Sequence, residues 1–315
     1  MPNSVVHDIF SSKVFDRLSH DIQSKINIPV FKHASFGPDI WFSALYTNRK
    51  HKSLVERCSY MHKNKCGIFL VSLAGAVNKQ EEPSLLFAYL CGFLCHYYLD
   101  YITHPYILYK TGNTFDHVRF ELALDCLFIH DVYGCESADF NFSQILPDKA
   151  LPSGLKDPID QIYYDVFGWT NAFSELSLCT LGLHKFFGRI RDPYGLYALF
   201  LKTKSSIIQH DIKIQTYHKK DDLSMTADFL NNSHQIWRNP FAPEFISSES
   251  FVELMQVALG RCAECIQSCY QHIFFSEDRD LLEIIGDKSY ESGLECSDIR
   301  NDQICCFENV FNKKN

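Results

Sequence analysis

LLFAYLCGFLCHYYLDYI, residues 85–102, is apolar on every side of a helix, yet it carries His96 and Asp100. Its length would suit a membrane span, but a histidine and an aspartate inside it favour the buried core helix of a folded domain over a transmembrane segment. Residues i and i+4 of a helix lie on one face, so the two polar side chains point the same way. An unpaired carboxylate in such a setting costs several kcal/mol, and a divalent cation removes that cost.

Working outward, His104-Pro105 follows, and the residue before a proline resists helical geometry. The helix is therefore expected to end near Thr103. KTGNTFD (110–116) reads as a turn, with Thr114 or Asp116 placed to cap the next helix. That helix opens on His117-Val-Arg-Phe-Glu121, again histidine and carboxylate at i, i+4. A lone buried His–Asp pair is more often a hydrogen-bonded core pair than a metal site. Two such pairs within 26 residues, with His104 between them, shift the reading to metal. Imidazole and carboxylate suit Zn²⁺. Arg119, two residues from His117, points away from that ligand face, and Asp125, one turn beyond Glu121, is placed to orient a ligand histidine.

Helical periodicity runs through most of the chain. Val5 to Ile22 form an amphipathic first helix, FGPDIWF (36–42) reads as a turn, and Gly67–Val77 is a buried apolar run. Helices are expected over Ile159–Phe167, Thr170–Ile190, Tyr194–Lys204 and Ser224–Trp237, after a polar loop at 134–158. The clearest pattern is Ser250–Phe275, opened by a Ser250/Glu253 capping box. Strand-like alternation is scarce, so the expected fold is an all-α helical bundle. Residues 1–135 would form the metal-binding catalytic core and 136–275 helices packed on it in the same domain. Residues 276–315 read as a charged, weakly structured tail.

Composition narrows the function classes. With 38 acidic and 30 basic residues the formal charge is −8, which argues against nucleic acid as a partner. The start lacks a basic stretch followed by an apolar core, and thirteen cysteines fit reduced thiols. The expected location is the cytoplasm, with non-standard export as the alternative. Cys262, Cys265 and Cys269 lie in a strong helical pattern and read as core packing rather than half a zinc ribbon.

The ordered elements His7, Gly37-Pro38-Asp39, His62, His96-x-x-x-Asp100, His104-Pro105 and His117-x-x-x-Glu121 resemble the zinc-dependent phospholipase C family. The resemblance covers roughly residues 1–135, and Trp237-Arg-Asn-Pro240 resembles the C-terminal part of bacterial members. It implies the all-helical phospholipase C / single-strand nuclease fold and two to three Zn²⁺ ions. One ion would take Asp39, His62, His96 and Asp100, and a second His104, His117 and Glu121. A third would take His7, Asp100 as a bridge and the chain's amino terminus. The implied reaction is phosphodiester hydrolysis by metal-bound hydroxide, with Asp39 doubling as general base. The implied substrate is a phospholipid or related small phosphodiester, reached through a transient membrane-surface contact. The alternatives are a single-strand nuclease on the same site and a non-catalytic protein in which zinc staples helices together.

Overall fold

The computed structural model describes residues 4–47, 51–112, 115–208, 227–277 and 279–311. Its helices are α1 (Ser4–Arg17), α2 (His20–Gln23), α3 (Ile28–Ala34), α4 (Lys52–Lys63), α5 (Cys66–Val77) and α6 (Pro83–Thr111). They continue with α7 (Phe115–Tyr133), α8 (Lys156–Phe167), α9 (Ala172–Ile190), α10 (Leu196–Ile208), α11 (Phe251–Phe275) and α12 (Leu281–Ile285). The fold is all-α, as expected, with two short strands, β1 (Trp237–Asn239) and β2 (Ala242–Ser247), paired antiparallel.

Helix α6 is the axis. It is buried almost end to end, and α1, α3, α5, α7 and α11 pack around it. Among the described residues it is the one helix long and apolar enough to cross a membrane, and its apolar window lies almost wholly inside the fold. One apolar core runs from Val5 through α6 and α11 to Tyr290. Gly92 sets a key spacing: a β-carbon there would lie 2.3 Å from the Phe31 carbonyl oxygen, so only glycine lets α3 lie against α6.

Several expectations need correction, beginning with the first helix, which ends at Arg17 and restarts as α2 at His20 rather than running unbroken to Ile22. Helix α6 does not stop before Pro105 but continues to Thr111. The proline removes one backbone donor, but the turn after it buries Tyr106, Ile107 and Leu108, and the Tyr106 hydroxyl donates to the Phe229 carbonyl at 2.8 Å. Burial outweighs the local penalty. Asp116 does not cap α7 from outside but lies in its first turn, accepting from Arg119 at 3.1 Å and from Asn309 at 2.7 Å; Thr114 lies outside the described residues. FGPDIWF is no simple turn but the start of a 3₁₀ helix, Gly37–Tyr46.

The helix expected over 224–237 is also absent from its described part, 227–237. There the side chains capture the backbone. Asp228 accepts from the Asn232 and Ser233 amides at 2.8 Å each, and Asn231, at φ +56°, donates to the carbonyls of Gln235, Ser248 and Glu249. Trp237 then enters the hairpin. The stretch after Phe275, poor in periodicity, nonetheless packs: Leu281, Ile285, Tyr290 and Leu294 are buried, and Lys288 and Glu295 form a bridge. Its anchors are single residues between polar ones, which leaves no helical or strand period to read.

Candidate metal centre

Each expected ligand sits on an element whose position has a local cause. His7 is buried on α1, where the Val6 amide next to it donates to Asp125 at 3.0 Å. Asp125 thus holds backbone beside His7. Asp39 lies in the first turn of the 3₁₀ helix. Gly37, at φ +52°, opens that helix against the His96 ring, and a β-carbon there would lie 2.3 Å from the His96 Cγ. His62 is near the end of α4. Arg57 pins α4 to the 3₁₀ helix by lying over the Trp41 ring at 5.0 Å, and to the start of α9 by lying over the Trp169 ring at 4.7 Å and pairing with Glu175.

All eight expected residues converge, with Asp100 at the centre. Its Oδ1 lies 3.1 Å from His7 Nε2, and its Oδ2 lies 2.9 Å from His96 Nε2. The same Oδ2 is 3.8 Å from both His62 Nε2 and His104 Nδ1. His62 Nε2 reaches Asp39 Oδ1 at 3.4 Å. Glu121 Oε1 sits between His104 Nε2 at 3.3 Å and His117 Nε2 at 3.1 Å. The His7 and His96 rings stack at 4.1 Å. Donor atoms close enough to share an ion fall into three groups: His7/His96/Asp100, Asp39/Cys58/His62 and His104/His117/Glu121. The grouping departs from the expected one by joining His96 to His7 and adding Cys58. The amino terminus lies outside the described residues.

The outer nitrogens of three histidines are fixed by backbone. Nδ1 of His62 meets the Cys58 carbonyl at 2.7 Å, Nδ1 of His96 the Ser35 carbonyl at 3.1 Å, and Nδ1 of His104 the Tyr290 carbonyl at 3.0 Å. A carbonyl only accepts, so each Nδ1 carries a proton and donates it. In the neutral ring the lone pair is then on Nε2, the atom turned toward a carboxylate in every case. Tyr290 is locked in turn: its amide donates to the His62 carbonyl at 2.9 Å, and the Ser289 hydroxyl does so at 3.1 Å.

Electrostatics keep the buried carboxylates ionised. Burial pushes the Asp100 carboxyl up, but His104, His96 and His7 outweigh it and hold the group well below the carboxylate range. Burial likewise opposes Glu121, yet His117 and His104 bring it down to about 2. Asp100 and Glu121 raise His104 to about 9 against the opposing effect of burial. Even so, among the described residues buried His96 Nε2 and Asp100 Oδ1 complete no hydrogen bond. Their partners nevertheless lie close, His7 Nε2 at 3.1 Å from Asp100 Oδ1 and Asp100 Oδ2 at 2.9 Å from His96 Nε2. Carboxylate and imidazole donors at these separations fit Zn²⁺.

Three features were not singled out from the sequence. Cys58 precedes His62 by four residues, so the i, i+4 rule that paired His96 with Asp100 would have found it. The Ser35 and Tyr290 carbonyls leave no sequence signal, because any residue presents the same atom. Trp237 and Asn239 lie away from the cluster: the Trp237 ring packs on Tyr106 at 5.6 Å, and Asn239 donates to the Ser292 carbonyl at 2.8 Å. Arg119 points away from the ligands, over the Phe311 ring at 3.9 Å.

No curated protein and no solved structure matches the chain. A family model described as zinc dependent phospholipase C matches residues 6–168, just over half the chain and a span that contains all eight converging residues. The chain belongs to the zinc dependent phospholipase C family.

Proposed function

We propose that the protein is a zinc-dependent phosphodiester hydrolase of phospholipase C type, and that His7, Asp39, His62, His96, Asp100, His104, His117 and Glu121 hold two to three ions. The observation that carries this reading is the convergence of Nε2 atoms and carboxylate oxygens, with Nδ1 of His62, His96 and His104 tied to backbone carbonyls. Zinc, when bound, supplies Lewis acidity toward phosphate oxygens and a lowered pKa for water.

The chain's own groups do the rest. Asp100, His7 and His96 are sealed from solvent, which keeps competing water away and strengthens the local field. Asp39 and His117 have the most exposed side chains of the eight, at 20% and 22%, so the phosphodiester approaches over them. Asp39 is then positioned to take the proton of the attacking water. The Nδ1–H donors keep each ring in one orientation, so no reorganisation is required during the reaction.

The substrate class follows from charge. A chain of formal charge −8 repels a polyanion more than a zwitterionic head group, which favours a phospholipid, met by transient contact with its surface, over nucleic acid. Head-group release from phosphatidylcholine vesicles should be faster than cleavage of single-stranded DNA by zinc-loaded protein. A preference for DNA would assign the nuclease reaction to the same centre. Failure to turn over any phosphodiester with zinc bound would make the metal structural only.

A further inference from the structure

We propose that the Cys58 thiolate is a ligand of the metal held by Asp39 and His62. The inference rests on the zinc-centre reading above and adds a sulfur donor to it. Thirteen cysteines are present, and Cys58 is the cysteine that falls within the three donor groups. It shares a face of α4 with His62, and its thiol is buried. Its Sγ lies 3.7 Å from Asp39 Oδ1, and that oxygen lies 3.4 Å from His62 Nε2.

The sulfur contact is an S–H···O hydrogen bond from Cys58 to Asp39, and the sulfur also lies 3.8 Å from His62 Nδ1. The 3.7 and 3.4 Å separations are at the same time close to the edges of a coordination tetrahedron. Bonds of ~2.0–2.1 Å to nitrogen or oxygen and ~2.3 Å to sulfur give N–O edges near ~3.3 Å and S–O edges near ~3.5 Å. The Cys58 carbonyl strengthens the case from the other side. It accepts the Nδ1 proton of His62 at 2.7 Å, so the residue that offers the sulfur also orients the imidazole. On metal binding the S–H bond breaks, its proton passes to solvent and a metal–sulfur bond forms, with no change in oxidation state.

Cobalt substitution separates this proposal from the reading beneath it. The full chain, stripped with chelator and reloaded with Co²⁺, should show a thiolate-to-cobalt charge-transfer band in the near ultraviolet as well as visible ligand-field bands. Cys58→Ser and Cys58→Ala should lose the charge-transfer band, keep the helical circular dichroism and release one ion to chelator faster. That acceleration should be at least the ~10–100-fold that loss of an outer partner of a metal ligand costs. Zinc K-edge absorption on the native protein gives a check that no variant's folding can affect, with a sulfur shell expected at about 2.3 Å. Bound cobalt without charge transfer, a band that survives in both variants, or a zinc spectrum with nitrogen and oxygen neighbours only would overturn the Cys58 assignment and leave the metal centre standing. Failure to bind cobalt at all would overturn both.

Discussion

Two faces of α6 carry side chains able to bind metal, and they have opposite character. One presents His96, Asp100 and His104 to His7, Asp39, His62 and Glu121. The other presents Cys91 and Cys95 to Cys262, Cys265 and Cys269 of α11, with Cys95 and Cys262 sulfurs 4.0 Å apart. On the cysteine face burial pushes the Cys91 and Cys262 thiols up, so they remain neutral and pack as small apolar groups. On the histidine face burial is overcome, and Asp100 and Glu121 stay charged. The three donor groups of the described residues include none of these five cysteines. Donor atoms alone therefore do not make a centre. What distinguishes the histidine face is buried negative charge together with backbone carbonyls that fix the imidazoles.

The largest effect expected from that contrast is on Asp100. Asp100→Asn should lose at least one bound zinc and reduce turnover by well over the ~100-fold that an outer partner can cost. Cys95→Ala on the opposite face should leave metal content unchanged and cost about 1 kcal/mol in a denaturant melt. Equal metal loss in the two variants would erase the distinction between the faces.

Gly37→Ala attacks the histidine face through the backbone. The new β-carbon would meet the His96 ring, and φ +52° is unfavourable for alanine, so a stability loss of about 2–4 kcal/mol with reduced zinc content is expected. A variant with native stability and full zinc would show that the 3₁₀ helix has room to shift.

The metal-free protein offers a comparison by pH. Glu121, about 2 when folded against 4.5 ordinarily, adds stability that is present above pH 4.5 and lost as pH falls toward 2. His104, about 9 against 6.5, adds stability that is present below pH 6.5 and lost as pH rises through 9. Each contributes on the order of 3 kcal/mol at most. The neutral thiols lose stability only where unfolded cysteine ionises, near pH 9 and above. Between pH 6.5 and 8.5 the decline should thus come from the histidine face, and added zinc should abolish it. Urea melts with chelator and with zinc test this, and a flat chelator profile would contradict the assigned His104–Glu121 charge pairing.

A smaller effect is expected at Asp125. Its carboxylate accepts from the Val6 amide, and an asparagine can accept through the same oxygen position. Asp125→Asn should cost about 1 kcal/mol and leave metal content far closer to normal than Asp100→Asn. Metal loss equal to that of Asp100→Asn would show that the two residues act as one unit.

How much of this was legible in the sequence depends on whether a contact repeats along one element. Helix α11 was readable to within a residue, because its period is regular and Ser250 and Glu253 form both capping bonds. The pairs His96/Asp100 and His117/Glu121 were readable for the same reason. Helix α6 beyond Pro105 was not, since burial of Tyr106 to Leu108 is a tertiary fact that local propensity opposes. Nor was the hairpin at Trp237, where Asp228 and Asn231 redirect backbone hydrogen bonds within an apparently helical pattern. The Tyr290 carbonyl that orients His104 comes from 186 residues away, through a group common to all residues.

The most direct measurement of the central claim is elemental analysis of protein purified without chelator. The convergence around Asp100 predicts two to three zinc ions per chain, falling by at least one in Asp100→Asn. Fewer than one metal ion per chain, even after zinc is supplied, would contradict the assignment of the histidine face as a metal centre.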